Sequence, residues 1–222
     1  MAILITKDLC KTYGSGDNAV HALNHVSLTV EEGEFVSIVG TSGSGKSTFL
    51  NLVGGLDKPT SGEVWVRGHD LGKLNDEQLT IFRRRNIGFV FQNFNLIPML
   101  NVYENITFTL EADGLWPDKE FLDGIIHALG LEEKRYAMPD QLSGGQQQRV
   151  AIARALATKP ALILADEPTG NLDSKTGLEV ALLLQNSVRK FGQTLIMITH
   201  NEEIAQMADR IVRIEDGRIV TR

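Results

Sequence analysis

The sequence has almost no cysteine, no long apolar run and no excess of positive charge. Cys10 is the only cysteine, so an intramolecular disulfide is excluded and cytosolic residence is the simplest expectation. No apolar run approaches the roughly 20 residues needed to cross a bilayer, and the N-terminus has no signal-peptide core. The formal net charge of −6 argues against a general nucleic-acid binder.

Repeats and low-complexity segments are also lacking among the 222 residues, and the apolar fraction of 42% is ordinary for a globular protein. The chain is long enough for one large domain or for a core with a subdomain. We expect it to form one domain.

The most informative stretch follows the short apolar run Glu34–Val39, which predicts a buried strand. It reads Gly40-Thr41-Ser42-Gly43-Ser44-Gly45-Lys46-Ser47 and fits G-x-x-x-x-G-K-[ST] at every fixed position. Glycines let such a loop turn its N–H groups around phosphate oxygens, and a helix beginning near Thr48 adds its dipole. Lys46 supplies charge for the β- and γ-phosphates, and Ser47 a hydroxyl for Mg²⁺. This motif predicts binding of a nucleoside triphosphate.

Alternating apolar and polar residues predict antiparallel strands at Ala2–Lys11 and His25–Val30. Tyr13 stands at the end of the first strand. From its position alone it is either a packing residue at the edge of the core or a ring on which adenine stacks.

Further buried strands are predicted at Asn86–Phe91, Ala161–Ala165 and Thr194–Thr199. Ligands of parallel α/β sheets bind beyond the carboxyl ends of the strands, so the polar residues found there are candidates for nucleotide contacts. These residues are Gln92, Asp166, Glu167 and His200.

Each candidate has a chemical role and a plainer alternative. Asp166 can hold Mg²⁺ directly or through water, and Glu167 can act as a general base toward water, although paired carboxylates also cap helices. His200 can contact the γ-phosphate, but a single histidine is often structural. Taken alone, Gln92 would be an ordinary loop residue more often than a ligand, and capping explains Asp173 adequately by itself.

A second phosphate site is predicted at Leu142-Ser143-Gly144-Gly145-Gln146, which opens a strong helix pattern. Ser143 suits the N-cap, and two glycines let an anion approach the N–H groups. An ordinary capped helix is the alternative. Because only one loop carries a lysine, the second site suggests contact with the nucleotide of another copy.

The region from Asn101 to Leu131 predicts helices interrupted at Gly114, Pro117 and Gly130, and therefore a helical subdomain inserted in the α/β core. Before it, the loop Asn93–Leu100 is unusually apolar, which favours a docking surface. The basic run Arg83–Arg85 fits either a solvated helix end or contact with lipid headgroups or a partner.

In this order the motifs resemble those of an ABC-transporter ATPase subunit over the whole chain. The residues that carry the resemblance are Tyr13, Gly40–Ser47, Gln92, Leu142–Gln146, Leu162–Glu167, Asn171–Asp173 and His200. It implies a P-loop α/β core with a mixed, mainly parallel sheet, an N-terminal antiparallel β subdomain and an inserted helical subdomain. The implied boundaries are 1–92 and 160–222 for the core and about 93–159 for the helical subdomain.

The resemblance also implies roles. Tyr13 would stack on adenine, Lys46 would grip phosphate, and Ser47, Gln92 and Asp166 would serve Mg²⁺. Gln92 would also sense the γ-phosphate and relay to the membrane partner. Glu167 would activate water, and His200 would position the γ-phosphate. The remaining nucleotide contacts would come from Gly40–Thr48, from Ser143, Gly144, Gly145 and Gln146 toward the opposing subunit, and from the dimer-contact loop with Asp173.

Within that family the chain is most similar to ATPases of lipoprotein-release, macrolide-export, cell-division and antimicrobial-peptide-resistance systems. The similarity rests on Val20–Leu23, Gly54–Pro59, Arg85–Leu96 and Ala165–Ser174, and it weakens from Thr107 to Asp118. It implies a homodimer on ATP and Mg²⁺ at the cytoplasmic face of a bacterial plasma membrane, contacting a permease through about Phe91–Leu100 and the helical subdomain, with no nucleic-acid partner. A soluble ABC ATPase acting on ribosomes or DNA is the alternative. A P-loop kinase or GTPase leaves Leu142–Gln146 unexplained.

Overall fold

The computed structural model describes residues 1–220, apart from the side chain of Asp17. The elements follow in the order β1 (Ala2–Tyr13), β2 (Val20–Glu31), β3 (Phe35–Val39), α1 (Lys46–Val53), β4 (Ser61–Val66), β5 (His69–Asp70), α2 (Asp76–Asn86), β6 (Ile87–Phe91), α3 (Val102–Ala112), α4 (Lys119–Ala128), α5 (Gly144–Ala157), β7 (Leu162–Asp166), α6 (Ser174–Lys190), β8 (Thr194–Ile198), α7 (Glu202–Ala205), β9 (Arg210–Glu215) and β10 (Arg218–Val220). Short 3-10 helices lie at Gly16–Asn18, Leu71–Lys73, Glu132–Lys134 and Pro139–Gln141. Among residues 1–220, no helix combines the length and apolarity that a membrane span requires.

The chain forms two compact units. The first contains residues 1–83 and the described residues from 194 onward, and the second contains residues 84–193. Helix α2 carries the chain from the first unit into the second.

The first unit contains an antiparallel sheet with the strand order β2-β1-β4-β5. It also contains a mixed set of strands, in which β3 pairs in parallel with both β8 and β9, while β10 is antiparallel to β9. β8 is buried throughout, as its unbroken apolar sequence predicts for a parallel strand. In the second unit β6 and β7 pair in parallel, with Phe91 opposite Asp166. The predicted α/β class, with an N-terminal antiparallel sheet and a mixed, mainly parallel sheet, is confirmed.

The first two strands are longer than the sequence predicts. They run over Ala2–Tyr13 and Val20–Glu31, and Val20 lies opposite Tyr13. Their pairing contains register shifts, and Asp8 and His25 have positive φ angles of 44° and 56°. Such irregularities interrupt the alternation of side chains between the faces of a sheet, which is why the sequence pattern reveals only part of each strand.

The stretch that the sequence predicts to be helical, Asn101–Leu131, contains two helices, α3 and α4. Asn101 caps α3 by accepting a hydrogen bond from the Glu104 N–H, and Asp118 caps α4 by accepting one from Phe121. Gly114, between the two helices, has a φ of 69°, a conformation that favours glycine. The predicted interruption at Gly114 is therefore confirmed.

The basic run Arg83–Arg85 makes contacts within the protein. In the first unit Arg83 donates to the Gly55 carbonyl at 2.6 Å. In the second unit Arg84 and Arg85 bind the two carboxylate oxygens of Asp113, at 2.8 and 2.6 Å. The hydrogen bond from Arg85 holds the pKa of Asp113 below its usual range. Structural pairing therefore accounts for this run.

Candidate functional site

The first unit holds the glycine-rich loop, which joins β3 to α1. Lys46 is the first residue of α1 and is only 5% exposed. Its ammonium group donates to the carbonyl oxygens of Gly40 and Thr41, at 3.0 and 2.6 Å. The Lys46 ammonium group is thus held against the first residues of the loop, Gly40 and Thr41.

Two glycines of this loop are required by geometry. Gly40 and Gly45 have φ angles of 154° and 101°. A Cβ on Gly45 would lie 2.2 Å from the Ala22 carbonyl oxygen, and one on Gly40 would lie 2.0 Å from that of Ile214. Any side chain would therefore collide with rigid backbone. The loop has its shape because neighbouring strands pack directly against its main chain.

The beginning of α1 is open to an anion. Its N-cap is Gly45, so no side chain caps the helix, and the first turn contains no acidic residue. The first N–H groups of a helix have no partner within it and carry the positive end of its dipole. Beside them the Ser44 hydroxyl is buried and has no hydrogen-bond partner in the part of the chain described here. An uncapped helix N-terminus without acidic residues suits a phosphate group, so these residues fit a bound nucleotide.

Tyr13 belongs to a polar cluster at the end of β1. Its hydroxyl donates to Asp57 at 2.8 Å, and the Lys11 ammonium binds the other carboxylate oxygen at 2.7 Å and lies 4.8 Å from the tyrosine ring centre. Partial burial, together with the bond to Asp57, raises the pKa of Tyr13. Partial burial opposes ionisation of Asp57, but the hydrogen bonds from Lys11 and Tyr13 prevail and lower its pKa. Tyr13 is 42% exposed, and stacking of adenine on its ring stays a prediction.

His200 follows β8 in the first unit. It lines a cavity of about 390 Å³ together with Gly40 and Thr41, the first residues of the glycine-rich loop. The prediction that His200 contacts the γ-phosphate is not tested by this geometry, but the histidine does share a cavity with the loop.

Gln92 lies in the second unit, directly after β6. The strand before it, β6, packs closely against α5. Gly88 allows this approach, because a Cβ there would lie 2.6 Å from the Ala155 carbonyl oxygen. The buried Gln148 side chain donates to the Phe91 carbonyl at 3.3 Å. The Gln92 side chain itself donates to Asn171 at 2.9 Å. The family resemblance rests in part on the motif Asn171–Asp173, but it implies no contact between Asn171 and Gln92.

The second predicted phosphate site begins α5. The Ser143 hydroxyl accepts from the Gln146 N–H at 3.3 Å, and the Gln146 side chain accepts from the Ser143 N–H at 2.9 Å. This is a capping box, so the structure satisfies the plainer alternative. Gly144 and Gly145 also pack closely, because Cβ atoms on them would lie 3.2 Å from Leu172 and 2.6 Å from Thr176. The glycines therefore bring α5 against the loop that opens α6.

The predicted carboxylates stand at the end of β7. Asp166 is the last residue of the strand, and Glu167 follows with a φ of 47°. A positive φ is uncommon outside glycine and costs about 1–2 kcal/mol per residue, so the surrounding fold must hold Glu167 in place. Its carbonyl accepts from the Gly170 N–H at 3.0 Å, closing a turn.

Asp173 caps α6 by accepting a hydrogen bond from Thr176 at 3.1 Å. The hydrogen bonds from Thr176 also hold the pKa of Asp173 below its usual range. Capping thus explains Asp173 structurally, and a nucleotide or dimer contact stays a prediction.

Arg154 is a residue that the sequence analysis missed. Its guanidinium donates to the carbonyl oxygens of Phe94 and Asn95, at 3.0 and 2.6 Å, and so ties α5 to the loop after Gln92. The sequence signal for this contact is an arginine among the small and apolar residues of α5, because a largely buried cation requires hydrogen-bond partners.

The residues predicted to serve Mg²⁺ fit that ion in their chemistry. Ser47, Gln92 and Asp166 offer oxygen atoms, which Mg²⁺ prefers. Within residues 1–220 no group of three or more His, Cys, Asp or Glu side chains is arranged to hold a metal. Such a cluster is not needed, because Mg²⁺ commonly uses one or two protein oxygens, waters and substrate phosphates.

The predicted site residues are divided between the two units. The first brings the glycine-rich loop with Lys46 and Ser47 into the same unit as Tyr13 and His200. The second groups the remaining predicted residues, which are Gln92, Ser143, Gly144, Gly145, Gln146, Asp166, Glu167 and Asp173. These parts define a P-loop nucleoside triphosphatase.

The comparisons with known proteins make the class specific. Residues 23–170 match the family model described as ABC transporter. The chain belongs to the ABC transporter family and is an ATP hydrolase.

Three relatives illustrate the similarity. MJ0796, an uncharacterized ABC transporter ATP-binding protein of Methanocaldococcus jannaschii, is 48% identical over 96% of this chain and 93% of its own length. LolD, the lipoprotein-releasing system ATP-binding protein of Geobacter metallireducens, is 47% identical over 99% of this chain and 98% of its own length. MacB, the macrolide export ATP-binding/permease protein of Hyphomonas neptunium, is 46% identical over 97% of this chain, which corresponds to 34% of that longer protein.

Among solved structures, MJ0796 has been determined as a dimer in a post-hydrolysis state bound to ADP and Pi. The present chain matches it with a TM-score of 0.86 and 46% identity, over 98% of this chain and 97% of that one.

Proposed function

We propose that this chain is the ATPase subunit of a bacterial ABC transporter. Two copies close head-to-tail on two molecules of MgATP, and hydrolysis reopens them. A separate membrane permease uses this cycle, which places the chain at the cytoplasmic face of the plasma membrane. The dimeric, ADP- and Pi-bound state of MJ0796 supports this cycle by similarity.

The observation that carries the proposal is the contrast between two helix N-termini. α1 begins with an uncapped glycine beside a lysine, whereas α5 begins with a capping serine followed by two glycines and no lysine. The first suits the phosphates of the bound nucleotide. The second suits the γ-phosphate of a nucleotide held by the other copy, where it supplies N–H groups without adding charge.

For the individual residues we propose the roles that the family resemblance implies. Lys46 and the N–H groups of Gly40–Thr48 hold the phosphates, Tyr13 stacks on adenine, and Ser143–Gln146 with Asp173 face the opposing copy. Bound Mg²⁺ would neutralise phosphate charge and would be held by Ser47, Gln92 and Asp166. The Glu167 carboxylate accepts a proton from water as the water oxygen bonds to the γ-phosphorus, and the bond from that phosphorus to ADP breaks. His200 orients the γ-phosphate.

A docking site for the permease is proposed at Phe91–Leu100. In the second unit this segment lines a cavity of about 410 Å³ together with Pro139, Asp140 and Gln147, and Met99 is 84% exposed. An exposed apolar segment beside a groove suits a helix or loop of a partner. The helical subdomain, about residues 93–159, would complete this surface.

The names of two relatives support a proposal for the cargo class. LolD belongs to a lipoprotein-releasing system and MacB to macrolide export. We therefore propose that the permease exports or extracts a peptide, lipoprotein or amphiphilic drug, as in antimicrobial-peptide resistance, or transmits force across the membrane.

The test is purification of the Glu167→Gln protein from membranes with ATP present, followed by mass spectrometry. Without the base, the ATP-bound dimer should accumulate and retain its permease. Glu179→Gln makes the same change at an exposed position of α6 and should hydrolyse ATP normally. Recovery of a permease supports the proposal. Recovery of ribosomal proteins or nucleic acid without a membrane protein, or normal turnover by Glu167→Gln, would overturn it.

A further inference from the structure

Gln92 and Asn171 form a reciprocal pair within the second unit. The Gln92 Nε2 donates to Asn171 Oδ1 at 2.9 Å, while Asn171 Nδ2 donates to the Gln92 carbonyl at 3.1 Å and to Asn93 Oδ1 at 2.8 Å. One side chain therefore holds both the backbone and the side chain of Gln92.

These bonds also fix which atom Gln92 presents. The backbone carbonyl of Gln92 can only accept, so it must face the Asn171 amino group, and the Asn171 oxygen must then face the Gln92 side chain. Gln92 consequently turns its amino group toward Asn171. Its Oε1 oxygen makes no hydrogen bond with any residue in the range 1–220. The oxygen, the atom that a hard cation would use, is left available.

Gly170 supports the same side chain from another direction. A Cβ on Gly170 would lie 2.8 Å from Gln92 Nε2 and 2.9 Å from its Cδ. The carboxamide thus packs directly onto the main chain of the residue before Asn171. A larger residue at 170 would have to displace it.

The loop that carries Asn171 is tightly built. The Gly170 N–H donates to the Glu167 carbonyl at 3.0 Å, and the Leu172 N–H donates to the Thr169 carbonyl at 3.1 Å. Asp173 then caps α6. Glu167 and Asn171 therefore belong to one short, hydrogen-bonded segment. A shift of Asn171–Asp173, at the end of that segment, would move the Gln92 side chain.

We infer that Asn171 is a positioning residue that aims the Gln92 Oε1 oxygen at the metal and couples the partner-facing loop Asn171–Asp173 to Gln92. This rests on the proposed function, in which Gln92 serves Mg²⁺ and the loop faces the second copy. Formation of the dimer would then adjust metal coordination through a side-chain pair within one chain.

The first experiment measures metal binding without turnover. Protein loaded with a non-hydrolysable ATP analogue is titrated with Mn²⁺ and followed by EPR. Asn171→Ala should weaken Mn²⁺ binding about tenfold, the lower range for loss of a residue that orients a ligand. Affinity for the analogue in EDTA should be unchanged. Asn186→Ala, the same change at an exposed position of α6, should behave as wild type.

A second variant moves Gln92 without touching Asn171. Gly170→Ala places a methyl group against the flexible end of Gln92, so the protein should fold while the carboxamide is displaced. Mn²⁺ binding should weaken as in Asn171→Ala. Wild-type Mn²⁺ affinity in Asn171→Ala would overturn the inference even if Gly170→Ala binds Mn²⁺ weakly.

A double-mutant cycle separates this inference from the proposed function. If Asn171 acts through Gln92, Gln92→Ala and the double variant Gln92→Ala/Asn171→Ala should bind Mn²⁺ equally weakly. If Gln92→Ala weakens Mn²⁺ binding and Asn171→Ala does not, the positioning role is wrong and the metal assignment stands. If Gln92→Ala has no effect, the metal assignment itself fails, and the inference fails with it.

Discussion

The two units hold their functional residues in different ways. In the first unit backbone shapes the glycine-rich loop: Gly40 and Gly45 have positive φ angles and lie against carbonyl groups of other strands. In the second unit hydrogen bonds from side chains hold the functional residues. They are the capping box of Ser143, the pair of Gln92 and Asn171, and the contacts of Arg154.

The difference has a functional meaning. Backbone packed against backbone has no alternative rotamers, so the nucleotide loop can be preformed. Hydrogen bonds made by side chains can be exchanged at a cost of about 0.5–1.5 kcal/mol each, so the second unit can rearrange. We therefore expect the first unit to supply tight nucleotide binding and the second to respond to the bound γ-phosphate and to the partner copy.

The largest effect should come from breaking the backbone-built loop with Gly45→Ala. The new Cβ would lie 2.2 Å from the Ala22 carbonyl oxygen, so the loop must distort. We expect ATP binding to weaken about 100-fold, which corresponds to a loss of about 2.8 kcal/mol of binding free energy. Titration with a fluorescent ATP analogue measures this.

Gly68→Ala is the matched control for Gly45→Ala. Gly68 has a φ of 76° but open space around it, so only conformational strain of about 1–2 kcal/mol is added. Its unfolding temperature should fall while ATP affinity is kept. Equal affinities for ATP in the two variants would show that loop shape does not control binding.

The next effect should come from Ser143→Ala in the second unit. Loss of the cap costs about 1 kcal/mol of stability and disorders the N–H groups that we propose face the other copy. We expect about tenfold slower hydrolysis, with ATP affinity of the monomer unchanged, because about 1.4 kcal/mol corresponds to that factor.

Asn101→Ala provides the control, because Asn101 forms a capping box on α3. It should cost similar stability, measured by urea unfolding, without slowing hydrolysis. If both variants hydrolyse ATP equally, the start of α5 has only a structural role.

A smaller effect is expected for Arg154→Lys. Lysine keeps the charge but cannot donate to the Phe94 and Asn95 carbonyls with one planar fork. Urea unfolding should show a loss of about 1–2 kcal/mol. Hydrogen exchange of the loop after Gln92 should accelerate, whereas exchange in the glycine-rich loop should not. Faster exchange in both loops would contradict an effect confined to the second unit.

The sequence was sufficient for features encoded over a few residues. The glycine-rich loop, the N-cap at Ser143 and the break at Gly114 each follow from local chemistry. Arg154 and Asn95 are 59 residues apart, and Gln92 and Asn171 are 79 residues apart. No periodicity connects such pairs, since only packing of α5 and of the loop before α6 brings them together. The sequence therefore indicated that Gln92 was important without showing what holds it.

The smallest expected effect concerns the stability of the protein at low pH. Asp113 in the second unit has its pKa lowered by Arg85 and Arg84. A carboxylate with a depressed folded-state pKa stabilises the protein above its unfolded pKa, about 3.9, and this stabilisation is lost as pH falls through the folded value. Asp113→Asn removes one such group, so the free energy of unfolding, measured with urea from pH 7 to pH 3, should decline less steeply. An unchanged slope would mean that Asp57, held by Lys11 and Tyr13 in the first unit, and the other carboxylates dominate acid unfolding.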